Sequence, residues 1–269
     1  MSLGYRQFQH KILQHHRKYG RKFPWRETKD PYKILISEVM LQQTQTKRVL
    51  QKYDAFIQHF PTAQTLATAS LKDVLTVWQG LGYNRRALYL HKTAQYIVKN
   101  FNGLVPSSPQ RLVQLPGIGK TTAAAVGAFA FNQPTVFIET NIRTVFIHFF
   151  FREKKAVQDH EILPYLEKTL YVKNPRIWYY ALMDYGVMLK KEHTNPSRLS
   201  AHHHRQSPFK NSDRQIRGKI LKLLLIKPRA WSDLRGLLKV EESRLKRVVR
   251  TLQEDELVVQ ERNKFIIHQ

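Results

Sequence analysis

Apolar residues recur at helical spacing through roughly the first 190 residues, and prolines interrupt this pattern at short intervals. The segments with helical spacing are 5–18, 31–46, 71–79, 85–100, 120–131, 158–170 and 175–190. The prolines are Pro24, Pro31, Pro61, Pro106, Pro109, Pro116, Pro134 and Pro175. Strands do not alternate with these segments, so a parallel sheet is not expected. The pattern predicts a mostly α fold built from many short helices over residues 1–190.

A different organisation is predicted after residue 190. Residues 191–212 are basic, contain histidines and have few apolar residues, which is typical of a linker or a DNA-facing loop. Residues 213–269 predict helices at 213–226, 231–238 and 241–255, followed by two alternating segments, LVVQER and KFIIH. This order resembles a small α+β winged helix, whose third helix would read a DNA groove. The candidate groove-reading residues are Arg244, Lys246, Arg247 and Arg250; a packing domain for dimerisation is the alternative.

The charge of the chain calls for an anionic partner. The 269 residues include 45 Lys and Arg against 20 Asp and Glu, a formal net charge of +25. Nucleic acid is the first candidate, because Lys and Arg neutralise phosphates and release counterions. A membrane surface is less well supported, because the basic residues recur along the whole chain rather than in one amphipathic helix. A generally basic protein, such as a ribosome-associated factor, is the remaining alternative.

Three absences exclude whole classes of protein. The sequence has no cysteine, which excludes disulfides, thiolate zinc sites, Cys-ligated iron–sulfur clusters and Cys nucleophiles. No apolar run approaches the ~20 residues that span a bilayer. The first residues, MSLGYRQFQHKIL, lack the apolar core of a signal peptide. We therefore expect an intracellular protein, either cytoplasmic and nucleoid-associated or elsewhere inside the cell, with no membrane partner. A monomer is also expected.

The segment LPGIGKTTA at 115–123 predicts a tight turn between two helices. A nucleotide-binding phosphate loop would need a glycine five residues before Gly119, where Gln114 stands. In the turn, Gly117 and Gly119 permit positive φ and close backbone approach, and the amides that open the next helix attract an anion. A DNA phosphate beside Lys120 would satisfy them; an ordinary helical hairpin is the alternative.

Several segments together resemble a known family. They are FPWRETKDPYKILISEVMLQQTQT (23–46), FPTAQTLATASLKDVLTVWQGLGYNRRALYLHKTA (60–94), LPGIGKTTAAAVGAFAF (115–131) and ALMDYGVML (181–189). Residues 5–190 resemble the helix-hairpin-helix (HhH-GPD) DNA glycosylases, and within them the MutY-type adenine glycosylases more than endonuclease III. The resemblance implies a two-lobed helical glycosylase fold and base excision from double-stranded DNA.

The resemblance also implies roles for individual residues. Glu38 falls where the family has a catalytic acid and base, for which burial would usefully raise the pKa; a surface glutamate is the alternative. Gln43 falls where the family inserts a side chain into the base stack. The base pocket would include Trp25, Arg26, Thr121 and Asn141, and the DNA contacts would be Gln42, Gln43, Thr44, Tyr83, Asn84, Arg85, Gly117, Gly119, Lys120 and Thr122.

The chain departs from the family pattern at its second carboxylate and at the Schiff-base position. The family has an Asp-Gly-Asn string where this chain has Glu139-Thr140-Asn141, so Glu139 would stabilise the cationic sugar; an ion pair with Arg143 is the alternative. Thr121 stands where bifunctional members have a Schiff-base lysine, and Lys120 lies one place earlier. We therefore predict a monofunctional enzyme.

The chain departs from the family again at residue 84 and after residue 190. The four-cysteine cluster loop is replaced by a basic stretch containing His202, His203 and His204. Three adjacent histidines rarely converge on one ion, so no metal is predicted there. No cofactor is expected beyond a possible monovalent cation at the hairpin. The winged-helix-like segment replaces the MutY domain that recognises 8-oxoguanine, and Asn84 replaces a wedge tyrosine.

The leading hypothesis is a monofunctional glycosylase of base excision repair that removes adenine opposite 8-oxoguanine or guanine. Thymine or uracil in a G mismatch, or another damaged base, is the alternative substrate. A non-catalytic DNA-binding protein on the same scaffold is the alternative of another class, and the intact SEVMLQQTQ string argues against it.

Overall fold

The computed structural model describes residues 4–192, 195–203 and 207–268, and these residues form a mostly helical protein. The helices of the first 192 residues are α1 (Tyr5–Tyr19), α2 (Pro24–Glu27), α3 (Pro31–Leu41), α4 (Thr46–His59), α5 (Ala63–Thr68), α6 (Leu71–Trp78), α7 (Arg85–Phe101), α8 (Pro109–Leu112), α9 (Lys120–Phe131), α10 (Thr140–Phe150), α11 (Asp159–Lys168) and α12 (Pro175–Glu192). A 3-10 turn (Pro196–Leu199) follows. None of the helices within the described ranges has the length and apolar character needed to cross a bilayer.

The predicted mostly α class is confirmed, and most predicted helices agree with the structure to within about two residues at each end. The helix predicted over 31–46 is wrong at its end, because α3 stops at Leu41 and the backbone at Gln43 takes φ +52°. The next helix, α4, was not predicted. Neither was α10, whose residues TNIRTVFIHFF are rich in β-branched and aromatic side chains of modest helix propensity.

Burial explains why α10 is nevertheless a helix. Phe8 of α1 is fully buried, and its ring centroid lies 5.4 Å from that of Phe146, 5.1 Å from Phe149 and 5.2 Å from Phe150. The α12 residue Trp178 closes this cluster at 5.9 Å from Phe8. Tilted and edge-to-face packing of these rings on one face of α10 provides tertiary stabilisation that local propensity does not.

The C-terminal segment has the predicted order of elements. It contains α13 (Asp213–Ile226), β1 (Arg229–Ala230), α14 (Trp231–Leu238), α15 (Glu242–Glu254), β2 (Val258–Glu261) and β3 (Lys264–Ile267). The antiparallel β2–β3 hairpin pairs Val258 with Ile267. The short strand β1, which was not predicted, pairs with the other edge of β3 and gives the sheet order β1-β3-β2. The small α+β C-terminal part is therefore confirmed.

Two compact units divide the chain. Unit 1 comprises residues 1–38, 106–114 and 118–205. Within it, α1, α9 and α10 pack on α12, and α11 packs on α10. Unit 2 comprises residues 39–105, 115–117 and 206–269. Within unit 2, α5 and α6 pack on α7, and α13 packs on α15, β3 and α6. The boundaries predicted at 1–190, 191–212 and 213–269 stay a prediction.

Candidate active site

Glu38 lies near the end of α3, in unit 1, on a helix that is otherwise largely apolar. Asp30 starts this helix, because its Oδ1 accepts hydrogen bonds from the backbone amides of Tyr32 (2.9 Å) and Lys33 (3.4 Å). Ile34 and Leu35 are each 1 % exposed, whereas Glu38 keeps a small accessible surface. Loss of hydration and, to a smaller extent, the charge of Glu139 raise the pKa of Glu38 to about 8, while Arg26 opposes the rise. Glu38 is therefore largely protonated at neutral pH, unlike a surface glutamate.

Glu139 caps the N-terminus of α10. Its Oε1 accepts hydrogen bonds from the backbone amides of Asn141 (2.7 Å) and Ile142 (2.9 Å), and its Oε2 accepts one from Asn141 Nδ2 (3.1 Å). Three donors and a helix N-terminus favour a negatively charged carboxylate. The alternative of an ion pair with Arg143 is wrong, because the Arg143 guanidinium donates to both carboxylate oxygens of Asp159 at 2.7 Å. The charge of Glu139 is one cause of the raised pKa of Glu38, so the two carboxyl groups interact.

The α12 helix supplies two polar groups beside this pair. Lys190 Nζ donates to Asn141 Oδ1 at 2.8 Å. Burial lowers the pKa of Lys190, an effect that Glu139 opposes and Arg143 adds to. Burial also raises the pKa of Tyr180, and the charge of Glu38 contributes to the rise. Neither residue was among the sequence-predicted site residues, because α12 meets the site only after folding.

Arg26 is held firmly beside the carboxyl pair. Its guanidinium lies 4.4 Å from the Tyr180 ring centroid and donates to Asp184 Oδ2 at 2.9 Å. Although burial would raise the pKa of Asp184, hydrogen bonds from His16, Arg26 and Arg21 hold it well below its usual range. Asp184 therefore stays ionised and fixes Arg26. Trp25, which precedes Arg26 in the chain, is 4 % exposed and stacks on Phe23 with the ring centroids 5.0 Å apart.

The 115–123 turn has the predicted tight geometry. Gly117 has φ +75°, and a Cβ there would lie 2.7 Å from the Tyr89 Cβ, so a larger residue would strain the turn. The Thr93 hydroxyl donates to the Pro116 carbonyl at 2.6 Å and anchors this side. Gly119 is the N-cap of α9, and the exposed residues Lys120 and Thr121 open that helix, followed by the half-buried Thr122.

A cavity of about 1160 Å³ lies within unit 2. Six of the predicted DNA-contacting residues line it: Gln42, Gln43, Tyr83, Asn84, Arg85 and Gly117. Thr44 is not among the lining residues, and its hydroxyl oxygen accepts a hydrogen bond from Arg86 at 2.9 Å. Arg86 also donates to the carbonyl oxygens of Val39 and Met40, so it joins the end of α3 to the loop before α7. Arg85 was predicted from the sequence as a DNA contact, whereas Arg86 was not.

The C-terminal segment also contributes a wall of the cavity, and this contribution was not predicted from the sequence. The residues that it contributes are Phe209, Arg214, Arg217, Gly218, Leu221, Lys222, Leu225 and Asp255. Phe209 is 60 % exposed, and Arg214 donates to the Tyr83 hydroxyl at 3.4 Å. Asp255 is the only acid that lines the cavity among the described residues, and it pairs with Arg217 at 2.5 Å. The wall is therefore basic and carries an exposed aromatic ring.

Comparison with known proteins shows the family to which the chain belongs. The model of the HhH-GPD superfamily base excision DNA repair proteins matches residues 36–169, which include Glu38, the hairpin and Glu139. The chain is 44% identical over 144 residues to an adenine DNA glycosylase of Buchnera aphidicola subsp. Baizongia pistaciae. The chain belongs to the HhH-GPD superfamily. The expected family membership is therefore confirmed.

The relatives of this HhH-GPD chain are longer than the aligned part. The Buchnera match covers 53% of this chain and 41% of the relative. An adenine DNA glycosylase of Mycobacterium tuberculosis (strain H37Rv) is 44% identical over 135 residues, covering 50% of this chain and 44% of the relative. The chain thus spans less than half the length of these two relatives. The solved structure of a thermostable thymine-DNA glycosylase aligns with a TM-score of 0.62 at 27% identity, over 68% of this chain and 86% of that one.

Several residues outside the matched part of the HhH-GPD domain were predicted to bind DNA, and three adjacent histidines there were predicted not to hold a metal. On α15, Arg244 and Arg247 pair with Asp213, Lys246 pairs with Glu242, and Arg250 pairs with Glu254. Their role in reading a groove stays a prediction. His202 and His203 lie within the described ranges, in which no group of three His, Cys, Asp or Glu side chains is placed to hold a metal, and His204 lies outside them.

Proposed function

We propose that this chain is a monofunctional DNA glycosylase that hydrolyses the N-glycosidic bond of adenine opposite 8-oxoguanine or guanine. The observation that carries the proposal is the pair of carboxyl groups in unit 1, of which Glu38 has a pKa of about 8 and Glu139 caps a helix N-terminus. One group can donate a proton at neutral pH, and the other can stabilise a developing positive charge. The adenine glycosylases among its relatives support adenine as the base.

In the proposed reaction, protonated Glu38 donates its proton to a ring nitrogen of adenine. The C1′–N9 bond then breaks, the bonding electrons leave with the base, and an oxocarbenium-like sugar remains beside Glu139. The Glu38 carboxylate accepts a proton from a water molecule while the water oxygen attacks C1′. Adenine and an abasic site are the products, and Glu38 is protonated again for the next turnover.

The residues that we propose to grip DNA belong to two groups. The backbone amides at Gly119 and Lys120 open α9 and can accept a phosphate. The unit 2 cavity combines exposed cations with the exposed rings of Tyr83 and Phe209, a combination that suits a nucleic acid strand. Gln43 lies on the rim of this cavity at a positive φ, which supports its proposed role as a wedge beside an extruded base.

A second substrate is favoured by one observation. The similarity to a thymine-DNA glycosylase at a TM-score of 0.62 supports thymine or uracil opposite guanine as the alternative target. Thr121, at the position of the Schiff-base lysine, supports hydrolysis without strand cleavage for either base.

A panel of duplexes tests the proposal in single-turnover reactions. The panel carries A:8-oxoG, A:G, T:G, U:G, 8-oxoG:C and hypoxanthine pairs, and base loss is read by cleavage in hot alkali. We expect base loss from the A:8-oxoG or A:G duplex, loss of this activity in Glu38→Gln, and unchanged activity in Glu27→Gln, an exposed glutamate of α2. Base loss only from T:G or U:G would select the second substrate. Binding of every duplex without base loss would establish the non-catalytic alternative.

A further inference from the structure

Lys190 of α12 is a half-buried cation that the proposed reaction does not use. Its Nζ donates to Asn141 Oδ1 at 2.8 Å, and Asn141 Nδ2 in turn donates to Glu139 Oε2 at 3.1 Å. Removing an ammonium group from water is costly, and burial lowers the pKa of Lys190 accordingly. Its neighbour Lys191 lies exposed on the same helix. Because placing an ammonium group here costs hydration free energy, we expect its contact with Asn141 to have a compensating role.

The contact with Lys190 determines the orientation of the Asn141 amide. An ammonium group only donates hydrogen bonds, so the amide group must turn its oxygen toward Lys190. The amide nitrogen then faces the opposite way, toward Glu139 Oε2. The backbone amides of Asn141 and Ile142 hold the other oxygen, Oε1. Both carboxylate oxygens of Glu139 are therefore held, one directly by the helix and one through a side chain that Lys190 orients.

The helices that carry these groups are pressed together. A Cβ at Gly186 of α12 would lie 2.4 Å from the backbone oxygen of Asn141, closer than any side chain permits. Gly186 precedes Lys190 by four residues, so both face the N-terminus of α10. This close approach leaves the lysine little freedom to move away from Asn141.

We propose that Lys190 is a positioning residue: through Asn141 it holds the Glu139 carboxylate in the orientation that stabilises the cationic sugar. This inference rests on the proposed glycosylase function. A glutamate has one more rotatable bond than an aspartate, so its carboxylate needs more restraint to stay in one place. Lys190 supplies that restraint from a different helix.

A purely electrostatic role predicts the opposite result. A positive charge near the sugar repels the cation that forms there, so a lysine acting only by its charge would slow the reaction. Its removal would then speed base loss and strengthen the binding of a cationic sugar analogue. A positioning role predicts that its removal slows base loss and weakens that binding. The sign of the effect separates the two roles.

The test compares Lys190→Met with Lys191→Met, a matched change at the adjacent exposed lysine. In single-turnover reactions on the best duplex of the panel, we expect Lys190→Met to be about tenfold slower, as for loss of a hydrogen bond within a charged network. Lys191→Met should stay close to wild type. The Kd for a duplex with a neutral tetrahydrofuran site should be unchanged in both, and Lys190→Arg should recover much of the rate.

Two further measurements test the path through Asn141. In an Asn141→Ala background, Lys190→Met should have little additional effect, because both changes remove the same restraint. The preference for a duplex carrying a cationic pyrrolidine over one carrying tetrahydrofuran should fall about tenfold in Lys190→Met. Unchanged or faster base loss, full additivity with Asn141→Ala, or an unchanged preference would each overturn the proposal.

The binding ratio also separates this proposal from the proposed function. If the wild-type chain removes no base from any duplex, the glycosylase proposal fails, and the cationic preference still reports whether Lys190 acts on Glu139. If Lys190→Met does not fold, Lys190→Gln is measured in the same way, with the same expected direction.

Discussion

Replacing Glu38 with glutamine should stabilise the fold while abolishing base removal. Glutamine has nearly the shape of the protonated acid but cannot ionise. The wild-type carboxyl has a pKa of about 8 in the folded chain, against 4.5 in an unperturbed glutamate. A group whose pKa is higher in the folded state favours folding at low pH, and this contribution is lost as the pH rises toward the folded pKa. Glu38→Gln removes that loss.

The magnitude follows from proton linkage. Between the two pKa values, unfolding of the wild type releases the proton of Glu38, so the free energy of unfolding falls by about 1.4 kcal/mol for each pH unit. From about pH 5 to pH 7.5, the wild type should therefore lose about 3 kcal/mol relative to Glu38→Gln. That is a large share of the ~5–15 kcal/mol by which a typical domain is stable.

Urea unfolding of both proteins at several pH values across this window measures the difference. Glu27→Gln is the control, because Glu27 is exposed in the same unit and its replacement should follow the wild-type curve. Other titrating groups affect wild type and variant alike and cancel in the comparison. Parallel curves for wild type and Glu38→Gln would refute the reasoning, because they would mean that Glu38 ionises as an ordinary surface glutamate.

Three other predictions concern the site and the DNA contacts. The rate of base loss by the wild type should fall tenfold per pH unit above about pH 8, because Glu38 loses its proton there. Glu139→Gln should slow base loss about 100-fold. It should also move this alkaline limb of the pH–rate profile to lower pH, because a negative neighbour of Glu38 is lost. A limb that stays in place would contradict the coupling of the two groups. Lys222→Ala in the cavity wall should reduce the slope of log Kd against log salt concentration by about 1. Lys219→Ala changes an exposed lysine of the same helix outside the cavity and should have a smaller effect on this slope. Equal effects would argue against DNA in the cavity. Borohydride should trap no covalent complex, because Thr121 cannot form a Schiff base, and a trapped adduct would disprove the monofunctional mechanism.

Local sequence patterns accounted for much of the fold. The apolar spacing in 85–100 and 120–131 predicted α7 and α9, because a helix that buries one face repeats its apolar residues every three or four positions. The glycines of LPGIGK predicted the turn, because Gly117 takes a φ that other residues avoid. The helix α10 was missed, since its residues favour helix only once Phe8 and Trp178 cover them.

The candidate site was predictable only in part. Glu38 and Glu139 could be selected from their motifs, and so could Asn141. The raised pKa of Glu38 could not be predicted, because it depends on how much water the folded chain removes and on the charge of Glu139. The alternative pairing of Glu139 with Arg143 was consistent with their spacing. In the structure, Arg143 instead pairs with Asp159, sixteen residues farther along the chain.

The sequence by itself determined the helical class, the tight glycine turn at 115–123 and the identity of the two carboxyl groups, because each is encoded within a few consecutive residues. Tertiary structure alone decided which groups surround them. Lys190 reaches Asn141 across 49 positions, and Arg214 reaches Tyr83 across 131. Such contacts depend on how helices pack against one another, and no local pattern of residues specifies which side chains packing brings together.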